Sequence, residues 1–141
     1  MPQQSIIAAP APYAADARTE RTVIVDHRTY TIKPSGILGW LSLYYEKGWP
    51  LQQKYLGNCL GFYLVKEGRQ DQVVHLWAYQ SQADREARRD ALYADPAWQD
   101  YLRDVMAMDF LVSWENKLLT PTWFSPTSGA TDQSPDQPGG D

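Results

Sequence analysis

The chain has 141 residues, 43% hydrophobic and 21% charged, which fits one domain and excludes disorder throughout. Thirteen Lys and Arg against 17 Asp and Glu give a formal charge of −4, which argues against nucleic acid and anionic membranes as partners. The aromatic fraction is high, at 13%, and predicts either a dense core or an apolar cavity.

The first predicted element is a strand over residues 23–33, which is rich in β-branched side chains and ends at Pro34. Apolar residues then recur at intervals of three and four from Ile37 to Leu56, which is typical of an amphipathic helix. Pro50 interrupts this pattern, so we expect the helix to be kinked or to form two pieces.

A β-hairpin is predicted next. Two apolar and aromatic runs, residues 59–66 and 72–79, are joined by a short polar link that contains Gly68. Both runs are rich in β-branched and aromatic side chains, which strands favour. We therefore expect them to pair as neighbouring antiparallel strands.

The last part of the domain is predicted to hold a second helix and a final strand. A capping box opens the helix at Ser81, and an Asp95-Pro96 pair restarts it, with aspartate as the cap and proline in the first turn. Residues 113–124 alternate weakly and contain Pro121, which favours a strand at the edge of the sheet.

Both ends of the chain are predicted to be disordered. Residues 1–21 are rich in Ala, Pro and Gln without periodicity, and residues 125–141 contain no large apolar side chain. Such segments cannot bury enough surface to offset the entropy of ordering. The predicted folded domain is therefore residues 22–124.

Cysteine content and the N-terminal residues bear on the compartment. Cys59 is the only cysteine, so the chain can form no internal disulfide and no thiolate metal cluster. Residues 1–15 contain no Lys or Arg, and Pro10 and Pro12 interrupt the apolar run that a secretory signal needs. No apolar run is long enough to span a membrane. We predict a cytoplasmic protein.

The predicted order β-α-β-β-α-β is the ferredoxin-like arrangement of an α+β protein. It gives a four-stranded antiparallel sheet with helices on one face and nothing on the other. Because the aromatic content predicts that the second face is too apolar for water, we expect a second copy to cover it. The result is a homodimer that encloses an α/β barrel. Alternatively, a ligand alone or a different partner protein covers the second face of the sheet.

Alternation along the strands assigns one set of side chains to the interior of this barrel. The polar members are Asp26, Arg28, Tyr30 and His75, and the aromatic members are Trp77 and Tyr79. Tyr63 is a further candidate, but the alternation along its strand does not decide which face it occupies. The smaller side chains at the intervening positions of the third strand are expected to face the helices; they are Val74, Leu76 and Ala78. The charged pair is placed in the barrel because helices would isolate it from water.

Several segments of the chain resemble the NIPSNAP family. They are residues 25–34, residues 72–79 with the arginines that follow, residues 95–98 and residues 118–126. The resemblance covers the whole predicted domain and implies a ferredoxin-like, dimeric α/β-barrel fold. It implies no single activity. Animal members are linked to mitochondria and vesicle traffic, and neighbouring barrel families include cofactor-free monooxygenases, lyases, isomerases and haem enzymes.

The sequence departs from this family at one position. Between the acidic residue and the arginine of the first strand, the family usually has an apolar residue, and this chain has His27. The ring of His27 is either buried under the helices or joins His75 in the cavity. The second alternative would create a site with two imidazoles.

The predicted site suits acid–base chemistry or positioning. His75 can exchange a proton near neutral pH, and Asp26 can orient it. Arg28 can bind a carboxylate or enolate oxygen, and Tyr30 can donate a hydrogen bond. The predicted binding residues are Trp77, Tyr79, Tyr63 and His27. A structural role remains the alternative, with Asp26 and Arg28 paired and His75 hydrogen-bonded in a core.

No metal, haem or other cofactor is predicted, because two distant histidines lack metal-ligand spacing and no glycine-rich phosphate loop is present. The arginines of the second helix are expected to form a solvated face with i,i+4 pairs; they are Arg85, Arg88 and Arg89. The predicted function is small-molecule binding in a dimeric barrel, with a cofactor-independent oxygenase, cyclase, isomerase or lyase acting on an aromatic or polyketide-like substrate. The alternative is a non-catalytic scaffold or interaction protein of the NIPSNAP type.

Overall fold

A computed structural model of the chain describes residues 23–126. The strands are β1 (Ile24–Ile32), β2 (Asn58–Leu64), β3 (Gln72–Tyr79) and β4 (Leu111–Leu119). The helices are α1 (Ile37–Leu43), α2 (Trp49–Tyr55), α3 (Gln82–Ala94) and α4 (Pro96–Met108), with a 3-10 turn at Pro34–Gly36 and a π-helical turn at Tyr44–Gly48. The ends predicted to be disordered, 1–21 and 125–141, lie outside the described residues except for Ser125 and Pro126.

The four strands form one antiparallel sheet in the order β2-β3-β1-β4. This order, with both helical regions packed on one face, is the ferredoxin-like fold, so the predicted fold is confirmed. The pairing of two such sheets into a barrel stays a prediction. Among the described residues, none of the helices is both long and apolar enough to cross a bilayer.

The first helical region runs from Ile37 to Tyr55 and contains a π-helical turn that ends two residues before Pro50, where the interruption was predicted. Pro50 has no N–H, and its ring crowds the carbonyl four residues earlier, which lies in this wider turn. Gly48 ends the turn at a close approach to α4. A β-carbon there would lie 2.9 Å from ring atoms of Tyr44 and Tyr101, so the packing requires glycine.

The caps of the second helical region form as predicted. Ser81 Oγ accepts a hydrogen bond from the Asp84 N–H at 3.0 Å, and the Asp95 carboxylate accepts one from the Ala97 N–H at 2.8 Å. The final strand lies at a sheet edge, also as predicted. It ends at Leu119 rather than Phe124.

The predicted assignment of the two sheet faces is wrong, because the helices cover the face that was placed in the barrel. The main core joins this helix-covered face to the helices. Its strand residues are Ile32, Val73, Trp77 and Tyr79, and its helix residues include Trp40, Tyr44, Leu92, Trp98, Tyr101 and Val105. Large aromatic side chains give the helices far more apolar area to pack on than the smaller set would.

The opposite surface of the sheet, the helix-free face, carries the side chains that were expected under the helices. The register places Val74, Leu76 and Ala78 of β3 opposite Thr29, His27 and Val25 of β1. At one end, a small apolar cluster forms from Val23, Val25 and Ala78, with Leu60 and Leu76 against it. The rest of this face is mixed, since Thr29, His27, Glu115 and Lys117 are polar and Val74, Tyr63 and Leu119 are apolar or aromatic.

Candidate ligand-binding site

A cavity of about 170 Å³ lies between the helix-covered face and the helices, chiefly α4. Half of its lining residues are aromatic; they are Tyr30, Trp40, Tyr44, Tyr93, Trp98, Tyr101 and Trp114. An apolar cavity of roughly 150 Å³ is known to hold one benzene molecule. This cavity therefore has room for a ligand built on a single ring.

Ring contacts hold the cavity walls in place. Trp40 stacks on Tyr44 with ring centroids 5.3 Å apart, and the ring of Tyr30 meets Trp40 edge-on at 5.8 Å. On α4, Trp98 and Tyr101 lie three residues apart on one side of the helix, with centroids at 5.0 Å. Each such pair contributes about 0.5–1.5 kcal/mol beyond its buried area, which favours a preformed cavity.

Besides tyrosine hydroxyls, the polar side chains that line the cavity belong to two arginines and one glutamine. Arg28 is already engaged, because its Nη1 donates to Asp26 Oδ2 at 3.2 Å and its Nε donates to Tyr30 OH at 3.3 Å. Gln52 Oε1 accepts a hydrogen bond from the Tyr44 hydroxyl. Arg89 extends from α3 with its guanidinium 5.6 Å from the centre of the Tyr93 ring.

Asp26 is fully buried behind Arg28 and is held by donors from three elements. Besides Arg28 on its own strand, Arg85 Nε of α3 and Asn116 Nδ2 of β4 each donate to it at 3.0 Å. Burial disfavours its charge, but the Asn116 hydrogen bond and the arginine charges outweigh burial, so the pKa of this carboxyl is below its ordinary value. The charged pair can thus lie under helices because α3 and β4 bring it partners.

His75 is 1% exposed and does not line the cavity. Its Nδ1 accepts a hydrogen bond from Trp77 Nε1 at 2.8 Å, so the proton of the neutral ring is on Nε2. Phe62 stacks on the ring at 4.5 Å and Tyr30 meets it edge-on at 4.9 Å. Burial, with a contribution from the charge of Arg28, lowers the pKa of His75 to about 3. His75 is therefore neutral at physiological pH.

The structure separates the predicted site residues into three groups. Arg28 and Tyr30 line the cavity. The second group lies on the helix-covered face outside the cavity lining; its members are Asp26, His75, Trp77 and Tyr79. Burial raises the pKa of Tyr79 to about 12. The third group, Tyr63 and His27, lies on the helix-free face.

Neither alternative for His27 holds, because its half-buried ring lies on the helix-free face, away from the helices and from His75. His27 is opposite Leu76 in the register, and His75 is opposite Arg28. Side chains alternate between faces along a strand, so the two rings lie on opposite sides of the sheet. Within residues 23–126, no three His, Cys, Asp or Glu side chains are grouped as ligands of a metal ion.

The prediction that the α3 arginines form a solvated face is correct only for Arg88, whose Nε donates to Asp84 at 2.8 Å. Arg85 reaches Asp26, and Arg89 lines the cavity. The sequence signal that would have placed Arg85 and Arg89 correctly is their spacing along α3. Arg85, Arg89 and the fully buried Leu92 recur at i, i+4 and i+7, which is the inward side of an amphipathic helix.

The fold and the cavity define a ferredoxin-like α+β protein with a small aromatic pocket between sheet and helices. The sequence model of the NIPSNAP family matches residues 25–126, and the chain belongs to that family. It is 37% identical to a NIPSNAP-like domain protein from Burkholderia xenovorans, with a TM-score of 0.70, covering 75% of this chain and 90% of that one.

A NipSnap homologue of Dictyostelium discoideum is 28% identical over 124 residues, which is 84% of this chain and 54% of that protein. The chain spans between 19% and 54% of the length of the curated relatives it matches. A structure described as a candidate antibiotic biosynthesis monooxygenase of Nitrosomonas europaea is 10% identical, with a TM-score of 0.55, over 74% of this chain and 94% of that one. That likeness concerns the fold alone.

Proposed function

We propose that this protein is a non-catalytic, small-molecule-binding member of the NIPSNAP family that acts as a homodimer. The observation that carries the proposal is the cavity of about 170 Å³ between sheet and helices, whose aromatic walls hold one another in place. Preformed pockets with apolar walls and a few polar groups are the usual form of a ligand site. The size supports a ligand with one ring rather than a fused polyketide.

The positions of Asp26 and His75 support binding without acid–base catalysis. A general base must come within hydrogen-bond reach of the proton it removes. Neither residue lines the cavity, and each is held in one protonation state by its surroundings. We therefore assign a structural role to both side chains, which is the alternative to catalysis that the sequence left open.

Filling the cavity is expected to abolish binding. Val105 lines the cavity and is buried, so the ring of Val105→Phe would occupy the space of a ligand. Isothermal titration calorimetry with benzoate and with benzyl alcohol is expected to detect binding of at least one probe to the unaltered protein and of neither to this variant. Val112→Phe is the matched control, because Val112 is exposed on β4 and outside the cavity lining. It is expected to bind as the unaltered protein does.

Two results would contradict this part of the proposal. If neither probe binds to the unaltered protein, the cavity is not a ligand site of the proposed kind. If a bound probe is chemically converted, the protein is a catalyst. If Val105→Phe fails to fold, Val105→Met places a flexible side chain in the same space and is expected to weaken binding.

The homodimer is proposed to form through the helix-free face. The apolar cluster of Val23, Val25 and Ala78 lies at one end of this face, with Leu76 partly exposed beside it. On β4, Glu115 and Lys117 are two residues apart on the same face, opposite Thr29 and His27. A two-fold axis can place Glu115 of one copy against Lys117 of the other, and Lys117 against Glu115. The helix-free face is therefore partly apolar and also complementary in charge to a second copy of itself.

Replacing an apolar residue of the helix-free face by a charged one is expected to dissociate the dimer. Leu76→Asp should halve the mass measured by sedimentation equilibrium, because the new carboxylate would be buried without a partner. Leu38→Asp, at a leucine of α1 that is 77% exposed, should leave the mass unchanged. If Leu76→Asp fails to fold, Lys117→Glu should weaken association, and adding Glu115→Lys should restore it. A monomeric unaltered protein would contradict the dimer.

A further inference from the structure

We infer that the cavity binds a carboxylate on a small ring and that Arg89 is the residue that anchors the carboxylate. This inference rests on the proposed ligand-binding function and narrows it to a chemical class. It is carried by a guanidinium at the cavity that has no carboxylate partner in the described part of the chain, and by a lining that contains no carboxylate.

Two indole N–H groups at the cavity have no acceptor. Trp40 is 1% exposed and Trp98 is 5% exposed, and both side chains line the cavity. The Nε1–H of each is buried and has no hydrogen-bond partner in the described part of the chain. Both nitrogen atoms are closed off from the cavity, so a ligand there can contact only the rings of Trp40 and Trp98. Trp77 differs, because its Nε1–H is satisfied by His75.

Arg89 is the cation at the cavity that has no carboxylate partner in the described part of the chain. Arg28 and Arg85 share the single carboxylate of Asp26. Arg89 pairs with no carboxylate among residues 23–126 and contacts only the Tyr93 ring through its charge. Of the two arginines that line the cavity, Arg28 is paired with Asp26 and Arg89 is not paired, so Arg89 leaves a positive charge at the lining. An anionic ligand offsets that charge, which a neutral ligand does not do.

The cavity lining contains no negatively charged acceptor. It includes no Asp, Glu or His, and Gln52 Oε1 already accepts from Tyr44. A ligand ammonium would therefore meet only neutral acceptors, such as tyrosine hydroxyls, beside the positive charge of Arg89. A carboxylate accepts several hydrogen bonds and matches the planar guanidinium, and the ring to which it is attached fits the aromatic walls.

The test compares benzoate with benzyl alcohol, which has nearly the same shape and no charge. Calorimetry on the unaltered protein is expected to show benzoate binding about tenfold or more tightly, since hydrogen bonds to charged groups are the stronger ones. Arg89→Gln should remove that preference, because benzoate should lose far more affinity than benzyl alcohol, which carries no charge for Arg89 to neutralise. Arg88→Gln is the matched control, because it removes the same charge from the same helix outside the cavity lining. It should keep the preference.

The outcomes separate this inference from the function on which it rests. Equal affinity for the two probes, or loss of benzoate binding in Arg88→Gln as much as in Arg89→Gln, would overturn the carboxylate site while leaving a ligand site. Binding of neither probe would overturn both. If Arg89→Gln fails to fold, Arg89→Lys keeps the charge without the planar donors, and it should retain part of the preference for benzoate.

Discussion

Replacing Asp26 by alanine is expected to lower the free energy of unfolding by about 3–5 kcal/mol, the usual cost of breaking a buried ion pair from one side. Asp26 is fully buried, and its carboxylate accepts hydrogen bonds from Arg28, Arg85 and Asn116, which links β1, α3 and β4. Without it, two guanidinium groups remain in the layer between sheet and helices with no carboxylate to neutralise them. Urea unfolding followed by tryptophan fluorescence measures the loss.

The control for this loss is a surface carboxylate. Asp71 pairs with Arg69 at 2.9 Å, but Arg69 is 65% exposed, so Asp71→Ala should cost only a small fraction of what Asp26→Ala costs. If Asp26→Ala does not fold, Asp26→Asn keeps the shape and one acceptor, and it should show an intermediate loss. Equal losses for Asp26→Ala and Asp71→Ala would contradict the buried network.

Stability is expected to fall as the pH drops below about 6.5, the ordinary pKa of histidine. The pKa of His75 is about 3 in the folded protein, because burial disfavours the charged ring. Between these two values the unfolded chain binds a proton that the folded protein does not, so stability rises with pH, and it is fully present above about 6.5. The slope from this one group reaches about 1.4 kcal/mol per pH unit.

His75→Gln is expected to flatten this pH dependence, because glutamine keeps an acceptor for Trp77 Nε1 and does not titrate. Urea unfolding at a series of pH values from near neutral to mildly acidic measures the slope. His27→Gln is the control at the other histidine, which lies half-buried on the helix-free face, and it should keep most of the slope. An unchanged slope in His75→Gln would show that the ring is not held neutral.

Local signals predicted most of the fold. The strand at residues 23–33, the hairpin and the caps at Ser81 and Asp95 depend on neighbours in sequence, and all of them form. The faces of the sheet could not be assigned in this way. Alternation along β3 shows that His75 and Trp77 share a face, but it does not show which face the helices cover.

The ligand site was predictable only in part. Arg28 and Tyr30 belong to a strand and were found by alternation, and they line the cavity. Trp40 and Trp98 were missed as site residues, because the cavity forms only when the π-helical turn and α4 meet over β1. Arg89 was misplaced on the solvated side of α3, although its spacing from Leu92 is that of the inward side.

The central claim is that the cavity is a binding site, and the indole N–H signals of the six tryptophans test it most directly. In nitrogen–proton correlation spectra recorded during a benzoate titration, the signals of Trp40 and Trp98 should shift together and saturate, since both side chains line the cavity and the ring of the ligand would lie against them. The signal of Trp77, already bonded to His75, should remain nearly unchanged. A titration in which the Trp40 and Trp98 signals stay in place would contradict the claim.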